Sequence, residues 1–263
     1  MKKANGIVLD KPSNPSYDSP ASFRVIVLLQ TVSKLLERVL ASRLSLTART
    51  LELVHSNLCG SLPALSSFEA AISLADTVRT LQRPGLRVST LFLDIKGAFD
   101  NVNGSTLCSS LKKAGVPHYM VTWISSFLSQ RTCRLLFQGS PKSFSPVQVG
   151  TPQGSPISPL LFVIYVASLH IQIPRGLSLS YVYDLALSAA SPSYRTNIRT
   201  LQRAFRRIRA PASAREAGFS VPKTELIHWR TPVQRDPSAS PAYPPICLDG
   251  QVFPPLPCVR WLG

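Results

Sequence analysis

Leu91-Phe92-Leu93-Asp94-Ile95-Lys96-Gly97-Ala98-Phe99-Asp100 places a carboxylate at the end of an apolar stretch and an aromatic five residues later. Val88 to Ile95 is rich in β-branched and apolar residues and short enough to be a buried strand, with Asp94 at its C-terminal end. A carboxylate so placed is suited to holding a metal-bound nucleotide. After the turn, Leu107, Leu111 and Ala114 mark a helix that Gly115 and Pro117 close in the usual order. Asp100 reads as the cap of the intervening turn and stays outside the candidate set.

Two further segments fit the same chemistry. Thr151-Pro152-Gln153-Gly154-Ser155-Pro156-Ile157-Ser158-Pro159 is a rigid loop that opens a strongly apolar helix, Leu160 to Ile171, with Ser158 placed to cap it and Pro159 in its first turn. Such a helix is expected to be buried against a sheet. Leu177, Leu179, Tyr181, Tyr183, Leu185 and Leu187 then alternate with small or polar residues, which is a strand period with a hairpin bend near Val182 to Asp184. Asp184 is the second strand-end carboxylate. It and Asp94 are ninety positions apart and meet only if their strands lie side by side. A cation is needed to offset their repulsion.

Together these segments resemble motifs A, B and C of reverse transcriptases. Their wording is most similar to the polymerases of LINE-type, non-LTR retrotransposons, from about Ile7 to the last residue. The resemblance implies an α+β right-hand polymerase with fingers and palm, an antiparallel palm sheet packed on helices, and no thumb within this chain. It divides the sequence into an extended lead-in at 1–22, fingers at 23–87, a palm with motifs A to D at 88–230, and a Pro-rich segment with the start of a primer grip at 231–263. The implied activity is RNA-directed DNA synthesis by two-metal nucleotidyl transfer. Its cofactor is Mg²⁺, two ions in the family, on Asp94 and Asp184, and its partners are an RNA template, a DNA primer and deoxynucleotide triphosphates.

The same resemblance assigns further roles. Phe99 stands where the family keeps an aromatic that stacks under the sugar and excludes a 2′-hydroxyl, with core packing as the competing reading. Gln153 and Gly154 position the template and the incoming nucleotide. Lys223, in Val221-Pro222-Lys223-Thr224-Glu225, resembles the motif D lysine that protonates departing pyrophosphate, against the simpler reading of a solvated turn lysine. Arg24, in Phe23-Arg24-Val25-Ile26, matches a finger arginine that reaches the triphosphate, although Val25 replaces the usual proline. Trp261-Leu262-Gly263 is similar to the start of the primer grip.

The chain also departs from the family. Tyr183 occupies the position of the first Asp of motif C, and a neutral phenol, with a pKa near 10, does not replace a carboxylate on Mg²⁺. Ala64-Leu65 stands where a Gly-Arg pair is common. The expectation is a polymerase whose chemistry is impaired or lost. A non-catalytic, basic RNA- or DNA-binding remnant is the alternative, and a relic that does not fold stably is a third.

Composition bounds the rest. With 263 residues and 44% hydrophobic content, one large or two small domains with a real core are expected. Lys and Arg outnumber Asp and Glu by 29 to 13, a formal charge of +16, so a polyanionic partner and steep salt dependence are expected. Helices are read from Val32 to Leu46, through Leu35, Leu36, Val39, Leu40 and Leu44, and from Glu69 to Gln82, with Ile72, Ala75, Val78 and Leu81 on one face. A third runs from Arg195 to Arg209, to be ended or kinked by Pro211. Its outer face carries Arg195, Arg199, Arg203, Arg206 and Arg207, and a nucleic-acid stripe and a solvated face remain equal readings. Gly218 to Trp229 reads as a turn and a strand, and Asp249-Gly250 as a tight hairpin. The five scattered cysteines lack any CxxC pair and read as reduced or core thiols. No run approaches a membrane span and no secretory leader is visible, so an intracellular site, nuclear or cytoplasmic, is expected.

Overall fold

The computed structural model describes residues 2–11, 16–54, 58–60, 66–170, 178–213, 218–229 and 243–262. The first half of the chain forms β1 (Lys3–Asp10), β2 (Phe23–Leu28), α1 (Thr31–Thr50), β3 (Leu58–Cys59), α2 (Ser67–Leu81), β4 (Arg87–Lys96), α3 (Gly104–Lys113) and α4 (His118–Leu128). There follow β5 (Arg131–Phe137), β6 (Ser140–Val147), α5 (Ser158–His170), β7 (Ser178–Tyr181), β8 (Asp184–Ser191) and α6 (Tyr194–Ser213). The last strands are β9 (Gly218–Phe219), β10 (Glu225–Trp229), β11 (Ile246–Leu248), β12 (Gln251–Phe253) and β13 (Pro255–Leu256). Two compact units share the chain, Met1–Leu53 with Ala98–Tyr165, and Val54–Gly97 with Val166–Gly263.

In the first unit the sheet order is β2-β1-β5-β6. Lys3–Asp10, which falls in the lead-in of the sequence reading, is an inner strand: β1 pairs antiparallel with β2 and parallel with β5. Ile7-Val8-Leu9 supplies its strand preference. α1 is longer than its periodicity indicated and differently turned. Leu40, Leu44 and Ala48 are buried together with Ser33 and Glu37, while Leu35, Leu36 and Val39 are exposed. α3 begins where the Asn103 side chain accepts from the Thr106 amide, and it stops just before Gly115, which takes φ +80°, as expected of that glycine.

The second unit is built on a mainly antiparallel sheet in the order β13-β10-β4-β8-β7-β3, with β9 beside the end of β4. β4 is buried along nearly its whole length because both of its faces are covered. Leu91 and Leu93, with Leu185 and Leu187 of β8, meet Ile198, Leu201, Phe205 and Ile208 of α6. Val88, Phe92 and Ala186 face the other way, onto Ala70, Leu74 and Val78 of α2. Ile72 and Ala75 therefore lie outside the face that α2 buries, contrary to the sequence reading. Likewise α6 runs through Pro211 to Ser213; in the last turn a missing N–H removes only one helical bond.

His228 ties this sheet together. Its Nε2 donates to the Pro244 carbonyl at 3.0 Å, and its Nδ1 accepts from the Ser89 hydroxyl at 2.8 Å. The β11–β12 turn takes positive φ at both Asp249 and Gly250, as the sequence indicated. Ala64, Leu65, Leu177 and 230–242 lie outside the described residues. No helix among the described residues is long and apolar enough to cross a membrane.

Candidate active site

In the second unit β4 and β8 pair antiparallel from Arg87↔Ser191 to Asp94↔Asp184, so the two carboxylate residues are direct cross-strand partners. The side-by-side arrangement expected from the sequence is met. Asp184 also pairs with Tyr181 of β7, which leaves Val182 and Tyr183 as a two-residue turn. Val182 adopts φ +54°, an uncommon state for a β-branched residue, and is buried. Gly60 approaches this turn so closely that a Cβ there would lie 2.6 Å from the Tyr181 ring. The Tyr183 carbonyl accepts from the Ile95 amide at 3.0 Å, fixing the turn through main chain, while the residue itself is 37% exposed.

Lys223 joins this pair. The Ser220 amide donates to the Asp94 carbonyl at 2.7 Å, anchoring the single 3-10 turn Val221–Lys223 beside β4. The Lys223 Nζ then lies 3.1 Å from Asp94 Oδ1. A cavity of about 250 Å³ is lined by Asp94, Tyr183, Asp184, Lys223, Arg260 and Trp261, among others. Burial, then the Asp94 charge, pushes the Asp184 carboxyl up to about 6, with Lys223 pulling the other way.

Among the described residues no group of three or more His, Cys, Asp and Glu is gathered so as to hold a metal ion. The donors at hand are two carboxylates. They suit a hard cation that completes its shell with water and phosphate oxygens.

The remaining candidates lie in the first unit. The loop after β6 is tied to its surroundings by main chain: Gly150 N donates to Val102 O at 2.9 Å, Thr151 N to Phe99 O at 2.6 Å, and Val27 N to Gln153 O at 2.7 Å. Gly154 takes φ +113°, and a Cβ there would stand 2.9 Å from the Val27 carbonyl, so glycine is required on both counts. Gln153 lines an apolar cavity of about 310 Å³ with Val25, Val27, Cys133 and Pro152. Arg24 is exposed on β2. By strand alternation it lies on the opposite face from Val25 and Val27. The Phe99 ring packs 5.7 Å from Phe162 of α5, which gives the core-packing reading a physical basis.

Glu37, absent from the sequence-derived site, holds this loop. It is wholly buried, accepting from Ser33 Oγ at 2.9 Å and from Ser155 Oγ at 2.5 Å. The available signal was a glutamate three and seven residues before Leu40 and Leu44 on a helix. The Ser158 cap is not made; its hydroxyl is buried without a partner among the described residues, and Ser155 Oγ instead accepts from the Ile157 amide at 3.3 Å.

The site is thus a strand-borne carboxylate pair on an antiparallel sheet with a lysine against it. Among solved structures, telomerase from Candida albicans in complex with the TWJ fragment of telomeric RNA superposes with a TM-score of 0.61 at 14% identity, covering 86% of this chain and 43% of that one. Apo telomerase from Candida tropicalis, truncated of its C-terminal domain, gives 0.57 at 15%, covering 86% and 50%. At such identities the likeness concerns the fold alone.

Residues 9–263 match the family described as reverse transcriptase (RNA-dependent DNA polymerase), and the chain belongs to that family. It is 30% identical over 209 residues to a probable RNA-directed DNA polymerase from transposon BS of Drosophila melanogaster, covering 76% of this chain and 23% of the relative. It is 28% identical over 152 residues to the Pol polyprotein of type-1 retrotransposable element R2 from Popillia japonica, covering 57% and 21%. The chain thus spans about a quarter or less of these relatives' lengths. Such relatives agree with the LINE-type resemblance of the motifs.

Proposed function

We propose that this chain supplies the fingers and palm of a LINE-type RNA-directed DNA polymerase in which nucleotidyl transfer is impaired at Tyr183. The observation that carries the reading is the cross-strand pair Asp94↔Asp184 with a tyrosine next to it in the turn. The proposed substrates are an RNA template, a DNA primer and deoxynucleotide triphosphates, with 23–87 assigned to fingers and 88–230 to palm.

Asp94 and Asp184 would hold Mg²⁺, which when bound supplies activation of the primer hydroxyl and neutralisation of triphosphate charge. In the metal-free chain the Asp184 carboxyl is raised to about 6, so a cation binding there below that pH would displace its proton. Lys223 pairs with Asp94 in the metal-free chain; released from that pair, it would be the proton donor to departing pyrophosphate. Gln153 and Gly154 present a fixed main chain to the template and nucleotide, Phe99 limits space at the sugar, and Arg24 reaches for the triphosphate. At position 183 a cation would meet a neutral phenol instead of a third carboxylate.

The test is Mg²⁺- and Mn²⁺-dependent extension of a DNA primer on an RNA template by this chain and by Tyr183→Asp. Extension at least ten-fold faster with the variant is expected, because loss of even an indirect metal partner costs about 10- to 100-fold. Equal rates would sink the impairment. Failure of both with retained duplex binding supports the second reading, a non-catalytic RNA or DNA binder, which the +16 charge favours.

A further inference from the structure

α6 bears six arginines and no acidic residue from Tyr194 to Ser213. At about 100° per residue, Arg195, Arg199, Arg203 and Arg206 fall within about 80° of the helix circumference, opposite Ile198, Leu201, Phe205 and Ile208. All four are exposed, and Arg207 flanks them. At about 1.5 Å per residue the row is about 17 Å long.

Such a row is not what keeps a helix soluble at least cost. A solvated face gains from opposite charges four residues apart, whereas Arg195 with Arg199, and Arg199 with Arg203, are like pairs that weaken the helix. Among the described residues, Asp249 pairs at 2.7 Å with Arg209 in the last turns, and none of the four row arginines has an ion pair. Every cation in the row is Arg, whose planar fork matches phosphate oxygens two at a time.

The row is also on the wrong side of the sheet to serve the carboxylates. α6 covers the face bearing Leu91, Leu93, Leu185 and Leu187. Asp94 and Asp184 follow Phe92 and Ala186 in register on the other face. A polyanion on the outer side of α6 is therefore bound at a place of its own.

We infer that the outer face of α6 docks the phosphate backbone of a single RNA strand, separately from the carboxylate site. The choice of RNA rests on the proposed function, since a template longer than the site leaves uncopied strand to be held; the docking of a polyanion rests on the charge row alone.

The test uses the full chain and a 5′-fluorescein oligouridylate, reading anisotropy between about 50 and 200 mM salt. Replacing Arg195, Arg199, Arg203 and Arg206 by Gln should lower the slope of log affinity against log salt by about 3, at about 0.7 per lost contact with a single strand. Replacing them by Lys should leave the slope nearly intact. The pair Arg199→Gln with Arg203→Gln should remove about half of the effect, which keeps the test valid if the fourfold Gln variant does not fold. An unchanged slope in the pair variant overturns the proposal. So does row-dependent binding of single-stranded DNA or of phosphatidylserine vesicles when RNA binding is indifferent to the row. Primer extension is read on the same chain carrying Tyr183→Asp: its absence there with the row-dependent slope retained counts against the polymerase reading and leaves the docking surface standing.

Discussion

The loop at 151–159 and the turn at 181–184 are held in opposite ways. The loop depends on what its side chains are, or are not: Gly154 leaves no room for a Cβ, and Ser155 donates to a carboxylate that is wholly buried. The turn depends on main chain, through the Tyr181↔Asp184 pair and the Ile95 amide donating to the Tyr183 carbonyl, with the tyrosine more than a third exposed. Family wording persists in the loop, where it is structural as well as chemical. It is lost at position 183, on a residue more than a third exposed.

The largest effect expected from this contrast is functional. Tyr183→Asp should raise primer extension about 10- to 100-fold while leaving stability in urea within about 0.5 kcal/mol, as for a surface change. A large stability change with it would show that the turn does depend on that side chain. In the loop the balance reverses. Ser155→Ala, which leaves Glu37 with one fewer donor, should cost about 2 kcal/mol in urea unfolding. Glu37→Gln made in the Ser155→Ala background should then cost less than in the parent chain; independent costs would deny their coupling. Gly154→Ala should cost about 1 to 2 kcal/mol from its positive φ and the Val27 carbonyl, and a neutral result would remove the claimed close approach.

Smaller, and of opposite sign, are two pH effects in the second unit. Asp184 rises in the fold from its ordinary 3.8 to about 6, so it stabilises the metal-free chain most below 3.8, and that stability is lost as pH climbs through about 6. Thermal unfolding of Asp184→Asn should lack this decline, while Lys223→Gln should extend it to higher pH because Lys223 lowers the Asp184 value. Burial lowers His228 below its ordinary 6.5, so its contribution is whole above 6.5 and lost as pH falls through the lower folded value. His228→Gln should flatten that acid limb, and an unaltered limb would assign it elsewhere.

Much of this architecture was readable because period and punctuation are local. The strand carrying Asp94 near its end, the hairpin before Asp184, the Gly115 stop and the Asp249-Gly250 turn are all set by nearby residues. What escaped is set by partners distant in sequence. Periodicity shows that α1 and α2 are two-faced, but Leu35 and Ile72 are exposed because the packed neighbours settle where each buried arc lies. Glu37 looked like one more polar helix residue until Ser155, over a hundred positions later, supplied its donor. In the candidate site, the adjacency of Asp94 and Asp184 was legible from their strand-end settings. Lys223 entered the candidate site through its motif D resemblance, but its pairing with Asp94 was not legible, because a turn lysine carries no local mark of what it faces.

The central position of β4 bears on how the chain is made. Its partners β8 and β10 lie about 90 and 130 residues downstream. At about 5 to 20 residues per second of synthesis, the strand leaves the ribosome many seconds before either can cover its edges. During that interval an apolar, β-branched segment has both edges open, the condition most prone to misassembly. Its sheet must therefore close late in synthesis, only once β8 and β10 have emerged.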